Sequence, residues 1–193
     1  MSRAEVYRQV AELHAANIDQ GFLATMGTAF LSLIYEAIDE CDEGVLLVEE
    51  RDGRIIAFVA GATTLAPVYK RMLRRPVQLA LVLLPSVFRP RRFRRLIETL
   101  IYSRGAERAP GLPEAELLSI AVSPAYRGRK IGDLLYARLV DNFRLRGVSV
   151  FKITVGDNLL SAHRFYLRMG ALPGVEIEVH PGNSSTVYLQ TIG

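Results

Sequence analysis

The stretch "LLSIAVSPAYRGRKIGDLLYARL", Leu117 to Leu139, constrains the fold more than any other part of the chain. An apolar run of strand length meets a proline, then a short basic turn with two glycines. Apolar residues at helical spacing follow at once. This pattern predicts a strand–turn–helix unit of an α/β protein. A helix starting near Ile131 leaves its first N–H groups without intrahelical acceptors, at the positive end of its dipole. Arg127, Arg129 and Lys130 add charge there, and Gly128 and Gly132 let a ligand approach the backbone. A phosphate-rich ligand would meet all of these features. The turn lacks the Gly-Lys-Ser/Thr of a Walker loop and the G-x-G-x-x-G of a dinucleotide fingerprint. On the turn alone, a solvated basic cap is the favoured reading.

The rest of the chain supports the same class. The spacing predicts a helix over 5–18 (Val6, Val10, Leu13) and a second carrying Leu23, Met26, Phe30, Ile34 and Ile38. "GVLLVEE" (44–50) and "IIAFVAGATT" (55–64) flank an Asp-Gly turn and predict a hairpin. Residues 65–110 are arginine-rich, helical in tendency and broken by five prolines, an excursion of two or three short helices. Strand 115–122 is followed by helix 131–146, with Ile131, Leu134, Leu135, Leu139 and Phe143 on one stripe. Strand 148–155 precedes a helix capped by "DN" at 157–158, whose stripe is Ala162, Phe165, Tyr166 and Met169. Strands 175–180 and 185–190 form a last hairpin. The predicted class is α/β with a mixed sheet and a helical basic insertion, all within one domain over 1–193.

Half of the 193 residues are hydrophobic, enough for one sizeable core. The single cysteine, Cys41, excludes an internal disulfide and suits a reducing, cytoplasmic setting. The N-terminal residues show no signal-peptide core. No apolar run approaches the roughly 18 residues of a membrane span. The net charge of +4 is unevenly spread: residues 70–104 hold ten Lys or Arg and one acid, Glu98, so the remainder is net acidic.

"AVSPAYRGRKIG" resembles the acetyl-CoA-binding motif of the GNAT superfamily of N-acetyltransferases, Q/R-x-x-G-x-G/A after a strand ending in apolar-Ser/Asp-Pro. Arg127 fills the first position and Gly132 the last. Lys130 stands where the family usually has glycine, and its Cβ restricts the backbone if that position needs positive φ. "NLLSAHRFYLRMGA" (158–171) resembles the family's N-x-x-A-x-x-φ-Y-x-x-x-G-φ helix, with Asn158 one residue further from the alanine than usual. The resemblance covers about 112–190 and implies a single acyl-CoA N-acyltransferase-like fold, with a mixed, mostly antiparallel central sheet and flanking helices, and acetyl-CoA as cosubstrate.

The resemblance also implies roles. A splayed strand, here Leu117 to Val122, pairs with the pantetheine arm through backbone groups of Ile120, Ala121 and Val122. The diphosphate rests on Arg127, Gly128, Arg129, Lys130, Ile131 and Gly132, with Asn158 close by. Glu116 is the candidate general base: strict alternation places it with Leu118, Ile120 and Val122 on one strand face, against the alternative of a solvated strand end. Tyr166 is the candidate acid for the departing thiolate, since a phenol is protonated at neutral pH. The alternative is a core aromatic on the helix's apolar stripe. The three histidines lack metal-ligand spacing, so no metal is expected. The expected reaction is direct N-acetylation of a small-molecule primary amine, an amino sugar among the candidates. A CoA-binding regulatory module without turnover and a membrane-associated interaction protein are the alternatives. For the basic excursion, a solvated flap, a lid over an anionic substrate and contact with an anionic bilayer compete; nucleic acid is not expected.

Overall fold

The computed structural model describes residues 1–18, 27–87, 111–180 and 183–193. Helix α1 (Arg3–Asn17) starts at Ser2, whose hydroxyl accepts the Glu5 N–H at 3.3 Å, and it buries Tyr7, Val10, Ala11 and His14. Helix α2 (Thr28–Asp39) buries Phe30, Leu31, Ile34, Tyr35, Ala37 and Ile38; Leu23 and Met26, assigned by spacing to this helix, lie outside the described residues. Strands β1 (Gly44–Arg51) and β2 (Arg54–Ala62) form the expected antiparallel hairpin. Its two turn residues, Asp52 and Gly53, both have positive φ, the backbone that joins twisted strands in a two-residue loop.

Helices α3 (Ala66–Leu73) and α4 (Pro76–Val87) begin the basic excursion. Its first arginines are not all solvated. Arg71 lies 3.1 Å from Glu40, and Arg75 bridges Glu36 at 2.6 Å and Glu40 at 2.9 Å, which ties α3 and α4 to α2. The remaining arginines of the predicted excursion, at 89–104, lie outside the described residues.

The second half carries β3 (Glu116–Val122), a 3-10 turn at Pro124–Tyr126, α5 (Ile131–Leu145), β4 (Val150–Gly156), α6 (Leu160–Arg168), β5 (Leu172–His180) and β6 (Asn183–Thr191). The six strands lie in the order β1-β2-β3-β4-β6-β5. Every neighbouring pair is antiparallel except β3 with β4. The sheet is therefore mixed, as the pattern predicted, and mostly antiparallel, as the family resemblance implied. Each face carries its own apolar layer. On one, α1 and α2 bring Val10, Leu31, Tyr35 and Ile38 against Phe58. On the other, α5 brings Leu135, Leu139 and Phe143 against Phe151 and Ile153. Gly61 permits that second approach, because a Cβ there would stand 2.9 Å from the Phe143 ring and from the Glu116 carbonyl oxygen.

Two local expectations are corrected. Leu134, placed on the α5 stripe, is 52% exposed, and Tyr136 is buried in its stead. The pair Asp157–Asn158 does not cap α6. Leu159 is the residue before that helix and no side chain caps it. The Asp157 carboxylate instead accepts from the hydroxyls of Ser184 and Thr186 on β6, and the Ser184 hydrogen bond chiefly holds it below the usual carboxylate range.

Candidate active site

The site begins where β3 and β4 part. Their parallel pairing is confined to Glu116 opposite Lys152 and Leu117 opposite Ile153. Beyond that point the strands diverge into a fork. On its other edge β3 stays paired with β2 out to Val122. The Ser123 N–H donates to the Ile56 carbonyl at 2.8 Å, so Ser123 faces β2. Backbone groups alternate along a strand, so those of Val122 and Ile120 face the fork. The Val122 carbonyl does so visibly, accepting Arg127 Nε at 3.1 Å. Ala121 points its backbone at β2, opposite Phe58, and its side chain is buried among the α1–α2 layer.

A β-bulge reverses one expectation. In the β2–β3 register, Ala60 faces Ser119 and Gly61 faces Leu117, so Leu118 has no opposite residue. The extra residue breaks the alternation. Ile120 and Val122 pack with the α5 layer, whereas Leu118 packs with the α1–α2 layer. Glu116, opposite Ala62 and beside Lys152, falls on the α1–α2 side as well. Glu116 therefore does not share a face with Ile120 and Val122, as strict alternation predicted. It stands across the sheet from them, at the root of the fork.

Glu116 is held there. Thr154 on β4 donates its hydroxyl to Oε1 at 3.3 Å, and Lys152 Nζ lies 3.5 Å from Oε2. The Lys152 side chain is only 6% exposed and also donates to the Pro113 carbonyl at 2.8 Å. Spacing gave no hint of Lys152 or Thr154, because both lie on a strand that otherwise reads as uninterrupted core. Nor did it reveal the polar chain behind Ser119. Ser119 hydrogen-bonds Tyr35, and the Tyr35 hydroxyl lies 2.5 Å from His14 Nδ1. His14 is buried, with its ring stacked over Phe58, and burial lowers its pKa to about 4.

At the far end of the fork the chain turns into α5. Gly128 has φ +75°, and Lys130 occupies the left-handed region at φ +60°. The motif's unusual lysine thus adopts the conformation glycine would take without strain. Lys130 precedes α5 without any side-chain cap. The acid of the first turn, Asp133, is drawn away by Arg168 of α6 at 2.6 and 2.9 Å. That hydrogen bond is the main cause of its lowered pKa. The N–H groups of Ile131 and Gly132 are left at the open end of the helix dipole. At Gly132 a Cβ would meet Phe165 and Val122 at an ordinary 3.6 Å, so alanine fits there too.

The three cations of the turn do not act alike. Arg127 bends back, donating also to Asn17 Oδ1 at 2.8 Å, and links the turn to the end of α1. Arg129 stacks on Tyr126. Asn158 lies in the turn after β4. Tyr166 is 6% exposed and sits in an aromatic cluster with Tyr136, Phe165 and Tyr188. Burial raises its pKa, with Tyr136 adding to the effect. The structure therefore places the candidate acid within the core layer. His163 braces the β4 prong, its two ring nitrogens lying 2.8 Å from the Tyr188 hydroxyl and 3.1 Å from the Gly156 carbonyl. Among the described residues no group of three or more His, Cys, Asp or Glu is arranged to hold a metal ion.

An open-edged strand fork leading to an amide-lined helix entrance defines an acyl-CoA acyltransferase fold. The chain belongs to the acetyltransferase (GNAT) family, whose model matches residues 15–171. No curated protein sequence matches it. Among solved structures, a Desulfovibrio desulfuricans protein assigned to the GNAT acetyltransferases is similar over 100% of this chain and 95% of its own, at 12% identity and a TM-score of 0.62. An aminoglycoside 6'-N-acetyltransferase complexed with coenzyme A is similar over 97% and 91%, at 11% identity and a TM-score of 0.61. A Bacillus anthracis protein assigned as a streptothricin acetyltransferase, in complex with acetyl coenzyme A, is similar over 84% and 70%, at 12% identity and 0.54. At such identities these likenesses speak for the fold.

Proposed function

We propose that this protein transfers the acetyl group of acetyl-CoA directly to a primary amine of a small-molecule acceptor, with amino sugars the first class to try. The observation that carries the reading is the fork. The edge of β3 is unpaired beyond Leu117 and runs straight to the uncapped start of α5. Acetyl-CoA would supply a thioester already activated towards an amine. Backbone groups of Ile120 and Val122 would hold its pantetheine arm as an added strand, with Ala121 as the spacer between them. Amides from Gly128 to Gly132 would hold the diphosphate, with Lys130 supplying charge and Arg129 held beside it on the Tyr126 ring. Arg127, through Val122 and Asn17, would brace this turn, and Asn158 would close the β4 side.

In the reaction the amine lone pair attacks the thioester carbonyl carbon, and the C–S bond breaks. Glu116 takes the proton released by the attacking nitrogen, directly or through one water. Tyr166 gives its proton to the departing thiolate, and its raised pKa keeps it protonated beforehand. Helices α1 and α2 cover the face that carries Glu116, which supports reading that face as the acceptor side. No acyl-enzyme is invoked: Cys41 is buried, and burial followed by the Glu43 hydrogen bond pushes its thiol pKa up, away from the nucleophilic thiolate.

Thermal shift and calorimetry with CoA test the cosubstrate, and a panel of amines with detection of released thiol tests turnover. Binding with amine-dependent thiol release is expected. CoA binding without thiol release from any amine would favour a regulatory module. No response to CoA, with co-sedimentation on anionic vesicles, would favour a membrane-surface protein working through residues 70–104.

A further inference from the structure

Tyr126, in the 3-10 turn between β3 and α5, is the meeting point of two arginines. Arg129 Cζ lies 5.2 Å from its ring centroid and Arg51 Cζ lies 5.7 Å from it. Arg129 belongs to the turn, but Arg51 arrives from the end of β1, opposite Arg54 across the hairpin. Like charges gathered on one ring repel one another. Among the described residues no carboxylate lies within ion-pair distance of either guanidinium, and the acid two positions before Arg51, Glu49, lies 3.8 Å from Arg138 instead. Stacking on Tyr126 holds the guanidinium groups while their N–H edges stay available to an anion. The diphosphate's needs are met by backbone amides and the helix dipole, so this pair is surplus to them. A phosphomonoester, close to doubly charged at neutral pH, matches two unneutralised arginines better than a phosphodiester does.

We propose that Arg51 and Arg129, carried on Tyr126, bind a phosphomonoester: the 3'-phosphate that distinguishes CoA from dephospho-CoA. The inference rests on the cofactor reading above and adds a selectivity to it. The pair acts as the outer anchor of the nucleotide, and the hairpin tip becomes part of the cofactor site although the family motif does not reach it.

Calorimetry with CoA and with dephospho-CoA, on the unaltered protein and on Arg51→Ala, Arg129→Ala and Arg51→Lys, tests this. The unaltered protein should bind CoA about ten-fold more tightly than dephospho-CoA. Arg51→Ala should remove most of that preference by weakening CoA alone, and Arg51→Lys should restore part of it. Melting temperature serves as the folding control. If neither nucleotide binds, the cofactor reading falls and this inference with it. If both bind equally to the unaltered protein, only this inference falls. A preference that survives both alanine substitutions also overturns it, since another cation would then be the anchor.

Discussion

Lys130 offers a sharp test of how the binding turn is built, because one side chain serves charge and backbone in opposite senses. At φ +60° and ψ +16° it sits in the left-handed region, which costs a residue with a Cβ about 1–2 kcal/mol. Lys130→Gly removes that strain and adds about 0.5–1 kcal/mol of unfolded-state entropy. The net is a stabilisation of about 0.5–1 kcal/mol, or roughly 1–4 °C in melting temperature for a chain of this length. The same change deletes a cation beside the proposed diphosphate site and should weaken CoA binding about five-fold. Lys130→Ala separates the two effects, since it keeps the strain and loses the charge: its melting temperature should stay near that of the unaltered protein while CoA binding weakens equally. Gly128→Ala is the mirror case. At φ +75° with open space around the missing Cβ, it should lose about 1 kcal/mol from backbone strain alone. Differential scanning calorimetry and CoA titration of the three variants give the readout. If Lys130→Gly melts lower than Lys130→Ala, the left-handed residue is not strained and the reasoning fails.

Glu116→Gln should reduce turnover on the order of 100-fold and flatten the acid limb of the pH–rate profile while CoA affinity holds; an unchanged profile would remove Glu116 from proton transfer. Tyr166→Phe should slow single-turnover acetyl transfer by about ten-fold or more with little change in melting temperature. A fall in melting temperature alone would mark Tyr166 as a core residue only. For His14, burial lowers the folded pKa from 6.5 to about 4. Between those values the unfolded chain binds a proton that the folded chain does not. Stability is therefore full above about pH 6.5 and falls by about 3 kcal/mol as the pH drops towards 4. Urea denaturation across that range should show the slope, and His14→Gln should reduce it; an unchanged slope would acquit His14.

Local order was legible in the chain because it is written in adjacent residues. Alternating and 3.6-residue periodicities located the β1–β2 hairpin, β3, α5 and β4 within about two residues, since each buries one face. The binding turn was legible for a related reason: a strand, cations, glycines and a helix start are consecutive. Errors arose where a residue's fate depends on a partner far along the chain. Asp157 looked like a cap, but Ser184 and Thr186 of β6 offer its carboxylate better donors.

The sequence by itself determined the α/β class, the two hairpins and the basic glycine turn, because short-range periodicity and turn chemistry suffice for these. Only the tertiary structure decided which face Glu116 occupies, that Lys152 and Thr154 hold it, and that Arg51 joins Arg129 on Tyr126. A single unpaired residue, Leu118, inverts the side-chain alternation along β3. Such a bulge is a property of two strands in register, and no reading of one strand contains it.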